Sequence, residues 1–260
     1  ERKSMREILP KHVRLLAEKI ETEEEFQQAL EYGYVLFQGY FFCKPAVLHQ
    51  KRLTSNALSK MRLLREVNRQ NVDFSAITGV ISSDTNLVHK LLTYINSAGI
   101  GLTNHVSNLK QATVLLGTSG VLRWVTLVSL QTFSEDKPPE LFTLSLLRAK
   151  FCELIAQSLK RPGLTPDTGF LLGMFSLLDV LLSLPMEDVL KEVALADDIN
   201  AALLGEDNDL RRLLDLVVAY EKGDWDAVIT CSDRLNLPAD QLKPTYDKVL
   251  EWYNVLQSIS

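Results

Sequence analysis

The chain has 260 residues, of which 46% are hydrophobic and 23% charged, so its composition is that of a folded protein with a sizeable core and not of a disordered segment. A net charge of −5 disfavours a whole-surface electrostatic grip on nucleic acid. The cysteines, Cys43, Cys152 and Cys231, are too widely spaced for a disulfide framework or a zinc site, which indicates a reducing, cytoplasmic setting.

The sequence also disfavours a membrane location. Its first residues, ERKSMREILPKH, lack the apolar core of a signal peptide. The most apolar stretch, residues 169–184, is interrupted by Asp179 and is short for a bilayer span. We therefore expect a soluble protein with no membrane contact.

Residues 12–45 follow the pattern strand, helix, strand. After the apolar run HVRLLAEKI, the segment ETEEEFQQALEYG contains the capping-box pair Thr22 and Glu25, and Gly33 ends its helix. The aromatic run YVLFQGYFFCKP then has the composition of a strand. A helix between two strands is the crossover unit of a parallel sheet. Two parallel strands cannot cover both of their faces, so this unit needs further structure to lean on.

From Leu53 onward the hydrophobic residues recur with a helical period. A helix over SNALSKMRLLREVNRQ is predicted to place Leu58, Met61, Leu64 and Val67 on one face. Further helices are predicted, in chain order, over SSDTNLVHKLLTYINSAGIG with a Ser/Asp cap, SNLKQATVLLG from a serine cap to Gly117, GVLRWVTLVSLQTF, ELFTLSLLRAKFCELIAQSLK, TPDTGFLLGMFSLLDVLLSLP, residues 187–193, 199–204 and 210–222, DWDAVITCSDRL and YDKVLEWYNVLQSI. Helices joined by short turns predict a mainly α bundle.

Two parts of this pattern resemble known bacterial domains. LLAEKIETEEEF followed by GYVLFQGYFFCKP is similar to the end of an EAL domain, the barrel that cleaves cyclic di-GMP, in which the motifs read A-E-G-V-E-T and Q-G-Y-x-F-x-K-P. The segments SSDTNLVHKLLTYINSA, NLKQATVLLGTSGVLRWVTLVSL, LLRAKFCELIA and GFLLGMFSLLDVLLSLPMEDVL resemble an HDOD domain, an HD-related helical bundle. The resemblance implies a C-terminal fragment of an EAL-like barrel over residues 1–47 and an HDOD helical domain over residues 48–260.

The EAL resemblance carries over few catalytic residues. An active EAL barrel holds two divalent cations with carboxylates from several strands, and these cations activate water against a phosphodiester. Here the resemblance supplies only Glu21, from A-E-x-V-E-T, and Gln38, from Q-G-Y, while the Glu-Ala-Leu signature and the barrel's Asp-Asp motif are missing. Lys19 stands where active members have Gly. Two polar residues cannot hold two such cations, so we interpret Glu21 as a solvated helix-start carboxylate or a relic.

The HDOD resemblance also implies no complete site. The related HD phosphohydrolases are metal enzymes that need an adjacent His-Asp pair, further histidines and a distal aspartate. None of the histidines of this chain precedes an aspartate; they are His12, His49, His89 and His105. We interpret His89 and His105 as surface or capping residues.

The helix in which the His-Asp pair is expected reads LGMFSLLDVLL, with Met174 and Phe175 nearby and Asp179 alone. Asp179 is either a leftover ligand or, as we favour, a helix-interior carboxylate bonded to a neighbouring helix. A nucleophile site is not indicated either, because GTSG at residues 117–120 does not match G-x-S-x-G, and Cys152 and Cys231 lie in helical patterns typical of a core.

Charge is distributed unevenly along the chain. Over residues 44–69 seven bases stand against the single acid Glu66, and over residues 187–226 twelve acids stand against four bases. Either these are solvated faces that neutralise each other within the fold, which we favour, or the basic segment is a docking surface. The residues of that candidate surface are Arg52, Lys60, Arg62, Arg65 and Arg69. Nucleic acid is a weaker alternative, since aromatic residues for base stacking are missing there.

These observations predict a non-catalytic bacterial signalling module, not an enzyme, that acts through protein–protein interaction and is linked by resemblance to cyclic di-GMP signalling. The alternative is the C-terminal part of a cyclic di-GMP phosphodiesterase whose catalytic barrel is missing from this chain. The expected partners are other signalling proteins or the chain's own missing EAL barrel, with a homodimer as a further candidate. We expect no cofactor and no metal.

Overall fold

The computed structural model describes residues 13–20, 22–37, 55–68, 74–96, 105–135 and 137–257. The chain divides into two compact units, Glu1–Leu48 and His49–Ser260. The identification of the first unit as the end of an EAL-like barrel stays a prediction.

The first unit contains a parallel strand–helix–strand arrangement of β1 (Leu16–Ala17), α1 (Glu23–Glu31) and β2 (Leu36–Phe37). In the parallel pair, Leu16 lies opposite Leu36 and Ala17 opposite Phe37. The predicted crossover is therefore confirmed, although the described strands are short. Residues 38–45 of the predicted second strand lie outside the described residues.

Helix α1 begins and ends where the sequence predicts. The hydroxyl of Thr22 accepts from the amide of Glu25 at 3.2 Å, and the carboxylate of Glu25 accepts from the amide of Thr22 at 3.2 Å, which completes the capping box. After the helix, Gly33 adopts a φ of 86°, a left-handed conformation that glycine tolerates best.

The core of the first unit is small and lies on one face of the strand pair. Ala17, Ile20 and Ala29 are buried, and the ring of Phe26 meets that of Phe37 edge to face at 4.8 Å between centroids. On the opposite face Leu16 and Leu36 remain 43% and 40% exposed. The strand pair thus leaves one apolar face open, as two parallel strands alone must.

The second unit is helical. Its elements in chain order are α2 (Ser55–Val67), α3 (Phe74–Ser82), α4 (Thr85–Ile95), α5 (Leu109–Phe133), α6 (Pro139–Leu159), α7 (Pro166–Phe175), α8 (Leu178–Leu182), α9 (Met186–Val193), α10 (Asp197–Leu203), α11 (Asp209–Lys222), α12 (Trp225–Leu235), a 3₁₀ turn (Ala239–Gln241) and α13 (Leu242–Gln257). The mainly α bundle predicted from the sequence is confirmed.

Helices α6 and α7 form the most extensive contact of this bundle. On one side α5 packs against α2, α3 and α4; on the other, α11 packs against α6, α7 and α10, and α13 covers α6. The largest fully buried side chains include Trp124, Phe151 and Phe175, which come from α5, α6 and α7. The centre of the bundle therefore lies where these three helices meet.

Four local features differ from the sequence prediction. Helix α3 is not predicted, because the β-branched residues and Gly79 of FSAITGVIS weaken its helical signal; packing on its neighbours stabilises it. The helix predicted over TPDTGFLLGMFSLLDVLLSLP is two helices, since Leu177 leaves helical geometry with φ −122° and ψ 16°. Asn108, not Ser107, caps α5. Met61, Leu64 and Val67 are buried as expected, but Leu58 is 45% exposed.

The side chain of Asn96 joins the end of α4 to the segment that precedes α5. Its Oδ1 accepts from the amide of Val106 at 2.7 Å, and its Nδ2 donates to the carbonyl of Val106 at 2.8 Å. Nδ2 also donates to the carbonyl of Leu92 at 2.8 Å. One amide therefore closes the connection between two helices and caps the first of them.

In the part of the chain that the structure describes, Leu109–Phe133 is the one helix with the length and apolar composition of a membrane span. Gly117 interrupts it with φ 63° and ψ −175°, so the longer continuous piece is residues 118–133. This is shorter than the roughly 20 residues that a bilayer span needs. Val121, Trp124 and Val125 are buried in the bundle, as expected of a core helix.

Candidate functional site

A buried ion pair lies beside Ser176, which belongs to the segment where the resemblance places a His-Asp pair. Arg148 of α6 donates from Nε to both carboxylate oxygens of Glu221 in α11, at 3.0 and 2.9 Å. The two side chains are only 5% and 10% exposed. Nη1 of Arg148 also donates to the hydroxyl of Ser176 at 3.1 Å, and that hydroxyl donates to the carbonyl of Gly173 at 2.8 Å.

This arrangement determines what the position can bind. A guanidinium held in a poorly solvated place repels a second cation, because Coulomb energies grow as the effective dielectric falls. The carboxylate that could have acted as a metal ligand already accepts two charge-assisted hydrogen bonds. Arg148, Glu221 and Ser176 therefore link α6, α11 and the end of α7, and the charges of the first two neutralise each other.

Asp179 lies in the first turn of α8 and is partly buried. Burial raises the pKa of its carboxyl above the usual 3.8, against the opposing effect of backbone hydrogen bonds from Val180 and Asp179 itself and of the charge of Arg148. Among the described residues, the hydrogen bonds to this carboxylate come from its own helix start and not from a neighbouring helix.

The histidines do not assemble with Asp179. His89 and His105 are both exposed, and His12 and His49 lie outside the described residues. Over the ranges that the structure describes, no three His, Cys, Asp or Glu side chains converge closely enough to hold a metal ion.

A second polar cluster, which the sequence analysis missed, joins α5, α6 and α7. Nη1 of Arg123 lies 2.6 Å from Oε1 of Glu153, and Nη2 of Arg123 lies 2.5 Å from Oδ1 of Asp167. Lys150 reaches the other oxygen of Glu153 at 2.8 Å. Opposite charges therefore alternate through the cluster. Arg123 is 30 residues from Glu153 and 44 from Asp167, so helical spacing could not reveal these two pairs.

The pKa values of Arg123 and Asp167 favour the charged forms of both groups. Burial alone would lower the pKa of Arg123, but hydrogen bonds to Asp167 and Glu153 and their charges raise it. Burial would raise the pKa of Asp167, but hydrogen bonds from Arg123 and Ser119, together with the charge of Arg123, hold it below 3.8. The guanidinium also lies over the ring of Phe170, 4.8 Å from its centroid. The cluster fixes the start of α7 against α5.

The predicted basic docking surface is only partly available. Lys60 is buried, and its ammonium lies 3.4 Å from Asp84, the residue that caps α4. Arg62 is exposed, and Arg65 is half exposed with Nη1 at 3.9 Å from Glu192 of α9. The last contact joins the basic segment to the acidic segment of the sequence. Arg52 and Arg69 lie outside the described residues.

The EAL-motif residues Glu21 and Gln38 also lie outside the described residues. In the first unit, a groove of about 440 Å³ is lined by residues of β1, of α1 and of the segment that follows β1, among them Glu18, Lys19 and Gln28. Lys19 has a φ of 58°, in the left-handed region that favours glycine. This is the position at which the resemblance has Gly, so the backbone keeps a glycine-like conformation that the side chain strains.

Comparison with known proteins gives a consistent assignment. The chain is 36% identical over 241 residues to the uncharacterized protein YuxH of Bacillus subtilis. The aligned region covers 91% of this chain and 58% of YuxH. It is 39% identical over 215 residues to the cyclic di-GMP phosphodiesterase CdgJ of Vibrio cholerae. That aligned region covers 83% of this chain and 50% of CdgJ. The chain thus spans between half and three-fifths of the length of these relatives.

A solved structure from Marinobacter aquaeolei VT8, described as a signal transduction protein, has a similar fold. The TM-score is 0.56 at 13% sequence identity, over 91% of this chain and 64% of that one. The HDOD domain family matches residues 55–200, which is more than half of the chain and includes the ion pair partner Arg148, Ser176 and Asn96. The chain therefore belongs to the HDOD domain family.

Proposed function

We propose that the chain is a non-catalytic regulatory module of bacterial signal transduction that acts through protein–protein interaction and is linked to cyclic di-GMP signalling. Membership of the HDOD family supports the signalling role, and the relative named as a cyclic di-GMP phosphodiesterase supports the link. The observation that carries the non-catalytic part is the buried Arg148–Glu221 pair, with Ser176 bound to it.

A phosphodiesterase of the HD or EAL kind depends on cations that activate water, and those cations need several carboxylate or imidazole ligands at once. In this chain the corresponding helix supplies a serine hydroxyl to an arginine. The neighbouring carboxylate of Glu221 is already bound by that arginine. A metal ion could bind here only if the guanidinium of Arg148, which is held by Glu221 and Ser176, were removed.

For the first unit we propose a relic of an EAL barrel. Its motifs, its parallel crossover and the glycine-like conformation of Lys19 support this reading. The exposed face of the strand pair at Leu16 and Leu36 also fits a unit that once had further strands beside it. In this proposal Glu21 and Gln38 are remnants without a catalytic role.

The alternative is that the chain is the C-terminal part of an active phosphodiesterase. The relative CdgJ favours it, because this chain spans 50% of that protein. In that case the catalytic carboxylates would come from sequence outside this chain. A longer sequence with Glu-Ala-Leu and Asp-Asp motifs in a complete barrel would support the alternative.

The catalytic part of the proposal is tested with the chain as it stands. After dialysis, its metal content is measured by elemental analysis, and cyclic di-GMP is incubated with it in Mg²⁺ and in Mn²⁺ and followed by chromatography. We expect no stoichiometric metal and no turnover. Turnover that Asp179→Ala or Glu21→Ala abolishes would overturn the proposal, and an Asp240→Ala variant, changed at an exposed carboxylate, serves as the matched control.

The interaction part needs a separate measurement. We propose that the partners are other signalling proteins or an EAL barrel and that the setting is the reducing cytoplasm, where Cys152 and Cys231 stay free thiols. A purified EAL barrel, tested for binding by calorimetry, should associate with the chain and lose affinity when Arg62 and Arg65 are changed to Glu. The Lys110→Glu variant, at another exposed base, controls for a general charge effect.

A further inference from the structure

Helix α12 exposes large apolar side chains. Trp225 is 60% exposed, and Ile229, one turn further on, is 55% exposed, whereas Val228 and Leu235 on the opposite face are buried. A helix that packs at the surface of a monomer normally turns polar residues outward. Exposed tryptophan next to an exposed aliphatic residue is instead the composition of contact surfaces.

The indole of Trp225 is held in place by the core. Its ring meets that of Tyr220 edge to face at 5.7 Å between centroids. Tyr220 in turn packs at 5.2 Å against Phe151, which is 1% exposed, and at 5.3 Å against Tyr246. A chain of rings therefore connects the exposed indole to the centre of the bundle. Such a side chain loses little conformational freedom on binding, which favours affinity.

Two carboxylates flank the apolar residues. Asp226 and Asp233 stand three residues before and four residues after Ile229, on the same helical face, and both are exposed. Within the described residues, neither takes part in an ion pair. Arg234 is the one base of α12, and it lies near Asp207 instead. The pKa of Asp207 is lowered mainly by the hydrogen bond and charge of Arg212, and the charge of Arg234 lowers it further. We refer to Trp225, Asp226, Ile229 and Asp233 as the acidic stripe.

The same chain carries a complementary stripe on α2. Leu58, Arg62 and Arg65 are spaced four and three residues apart, which places them on one face, and all are exposed. Among the described residues Arg62 has no ion-pair partner, and Arg65 has only the long contact of 3.9 Å with Glu192. These residues form the basic stripe. The basic stripe combines one exposed apolar side chain with two positive charges, and the acidic stripe combines two exposed apolar side chains with two negative charges.

We propose that the basic stripe of one copy of this chain docks on the acidic stripe of a second copy. Guanidinium groups suit this surface in two ways, because they form charge-assisted hydrogen bonds with Asp226 and Asp233 and stack on the face of Trp225. Leu58 and Ile229 then bury their exposed surface against the partner helix. This inference goes beyond the proposed function, because the second copy supplies its own acidic stripe and needs no EAL barrel, which would compete with it for Arg62 and Arg65.

The association should be weak and sensitive to salt. One pair of short helices buries less than the ~800 Å² per partner that a stable interface uses. Its charges lie at an exposed rim, where added salt screens them. We expect a concentration-dependent equilibrium at low ionic strength that shifts toward the monomer as salt is added.

Sedimentation velocity of the full chain over a concentration series tests the proposal, with thermal melting of every variant as a check on folding. Asp226→Arg/Asp233→Arg and Arg62→Glu/Arg65→Glu should each raise the dissociation constant by at least about tenfold. The matched control Asp240→Arg/Glu251→Arg changes two exposed acids outside both stripes and should associate like the wild type.

Mixing the two charge-reversed variants gives the sharpest result. Each has lost one stripe, but the reversed stripe of one complements the reversed stripe of the other, and their unaltered stripes also match. An equimolar mixture should therefore associate again. A wild type that stays monomeric overturns the proposal, as does association of either charge-reversed variant at wild-type strength. A mixture that fails to associate overturns the pairing of these two stripes.

Discussion

Gly173 of α7 lies directly on the backbone of Arg148 in α6. A Cβ atom at Gly173 would stand 2.5 Å from the carbonyl carbon and oxygen of Arg148 and 2.6 Å from Cα of Ala149. One turn earlier, a Cβ atom at Gly169 would stand 2.7 Å from the carbonyl oxygen of Cys152. Since these neighbours are backbone atoms, no rotamer change relieves the contact. The close approach of the two helices also keeps Ser176 within reach of the Arg148 guanidinium.

We therefore predict that Gly173→Ala destabilises the protein by about 3 kcal/mol, because the added methyl group must push two packed helices apart. Urea unfolding followed by circular dichroism measures the change. Gly79→Ala in α3 is the control, since nothing lies within 4 Å of its Cβ position. Replacement of this helical glycine should stabilise by about 0.5–1 kcal/mol. Equal effects of the two changes would contradict the packing argument.

The backbone of Lys19 provides a second prediction. Its φ of 58° is unfavourable for a residue with a Cβ atom, so Lys19→Gly should stabilise the first unit by about 0.5–1 kcal/mol after the greater freedom of glycine in the unfolded chain is counted. Hydrogen exchange of the amides of residues 22–37 reports on this unit by itself. Glu18→Gly, at a residue without positive φ, should increase exchange instead.

A third prediction concerns Asn96. Asn96→Ala should cost about 2 kcal/mol, because it removes both hydrogen bonds to Val106 and leaves that residue's amide and carbonyl without their partner. Thermal melting measures the loss. Asn68→Ala is the matched control. Asn68 donates to the carbonyl of Leu64 at 2.8 Å as Asn96 does to that of Leu92, but among the described residues it does not bridge to a second segment as Asn96 does to Val106. A loss of equal size in both variants would show that only the helix end is affected.

The sequence predicted those parts of the fold that local chemistry determines. Thr22 and Glu25 predicted the start of α1, and Asp84 predicted the start of α4, because these side chains bind backbone amides a few residues away. Gly117 predicted the break in α5, because glycine tolerates the non-helical backbone conformation there. Helix α3 escaped prediction because its stability comes from packing on α2, α4 and α5, while its own residues favour helix weakly.

The candidate site was less predictable for a related reason. The sequence shows that the histidines lack an adjacent aspartate, but it cannot show that Arg148 meets Glu221, which is 73 residues away. The same holds for Arg123 with Glu153 and Asp167. It also could not reveal that Lys60, placed in the basic docking surface, is buried against Asp84. Pairings between helices depend on how the helices pack, and a single sequence carries no periodic signal for them.

A fourth prediction follows from the lowered pKa of Asp167. A carboxyl whose folded-state pKa lies below its usual 3.8 stabilises the fold fully above that pH, and this contribution is lost as the pH falls through the lower folded-state value. Asp167→Asn should thus be less stable than the wild type at neutral pH, and the difference should close as the pH drops below 3.8. Urea midpoints over a pH series test this. Ser119→Ala, which removes one donor but keeps Arg123 and the carboxylate, should show a smaller change.

The last prediction concerns the Arg148–Glu221 pair. Glu221→Leu leaves a buried guanidinium without its counter-charge, and Arg148→Met leaves a buried carboxylate, so each should cost about 3–5 kcal/mol. The double variant Arg148→Met/Glu221→Leu removes both charges and should lose less than either single variant. A double-mutant cycle in urea measures the coupling. Losses that simply add would mean that the two side chains stabilise the bundle independently.

The pH dependence of the Arg148→Met variant provides an independent check. Burial already raises the pKa of Glu221 above its usual 4.5, against the charge and hydrogen bonds of Arg148, and removal of Arg148 takes away that opposition. A carboxyl with a raised pKa in the folded state binds its proton more tightly there than in the unfolded chain. The stability deficit of the variant should therefore be smallest below the raised pKa that Glu221 has in the wild type, and grow as the pH rises from there toward the still higher pKa in the variant. A deficit that stays constant with pH would show that the lost packing of the arginine stem, and not an uncompensated charge, is responsible.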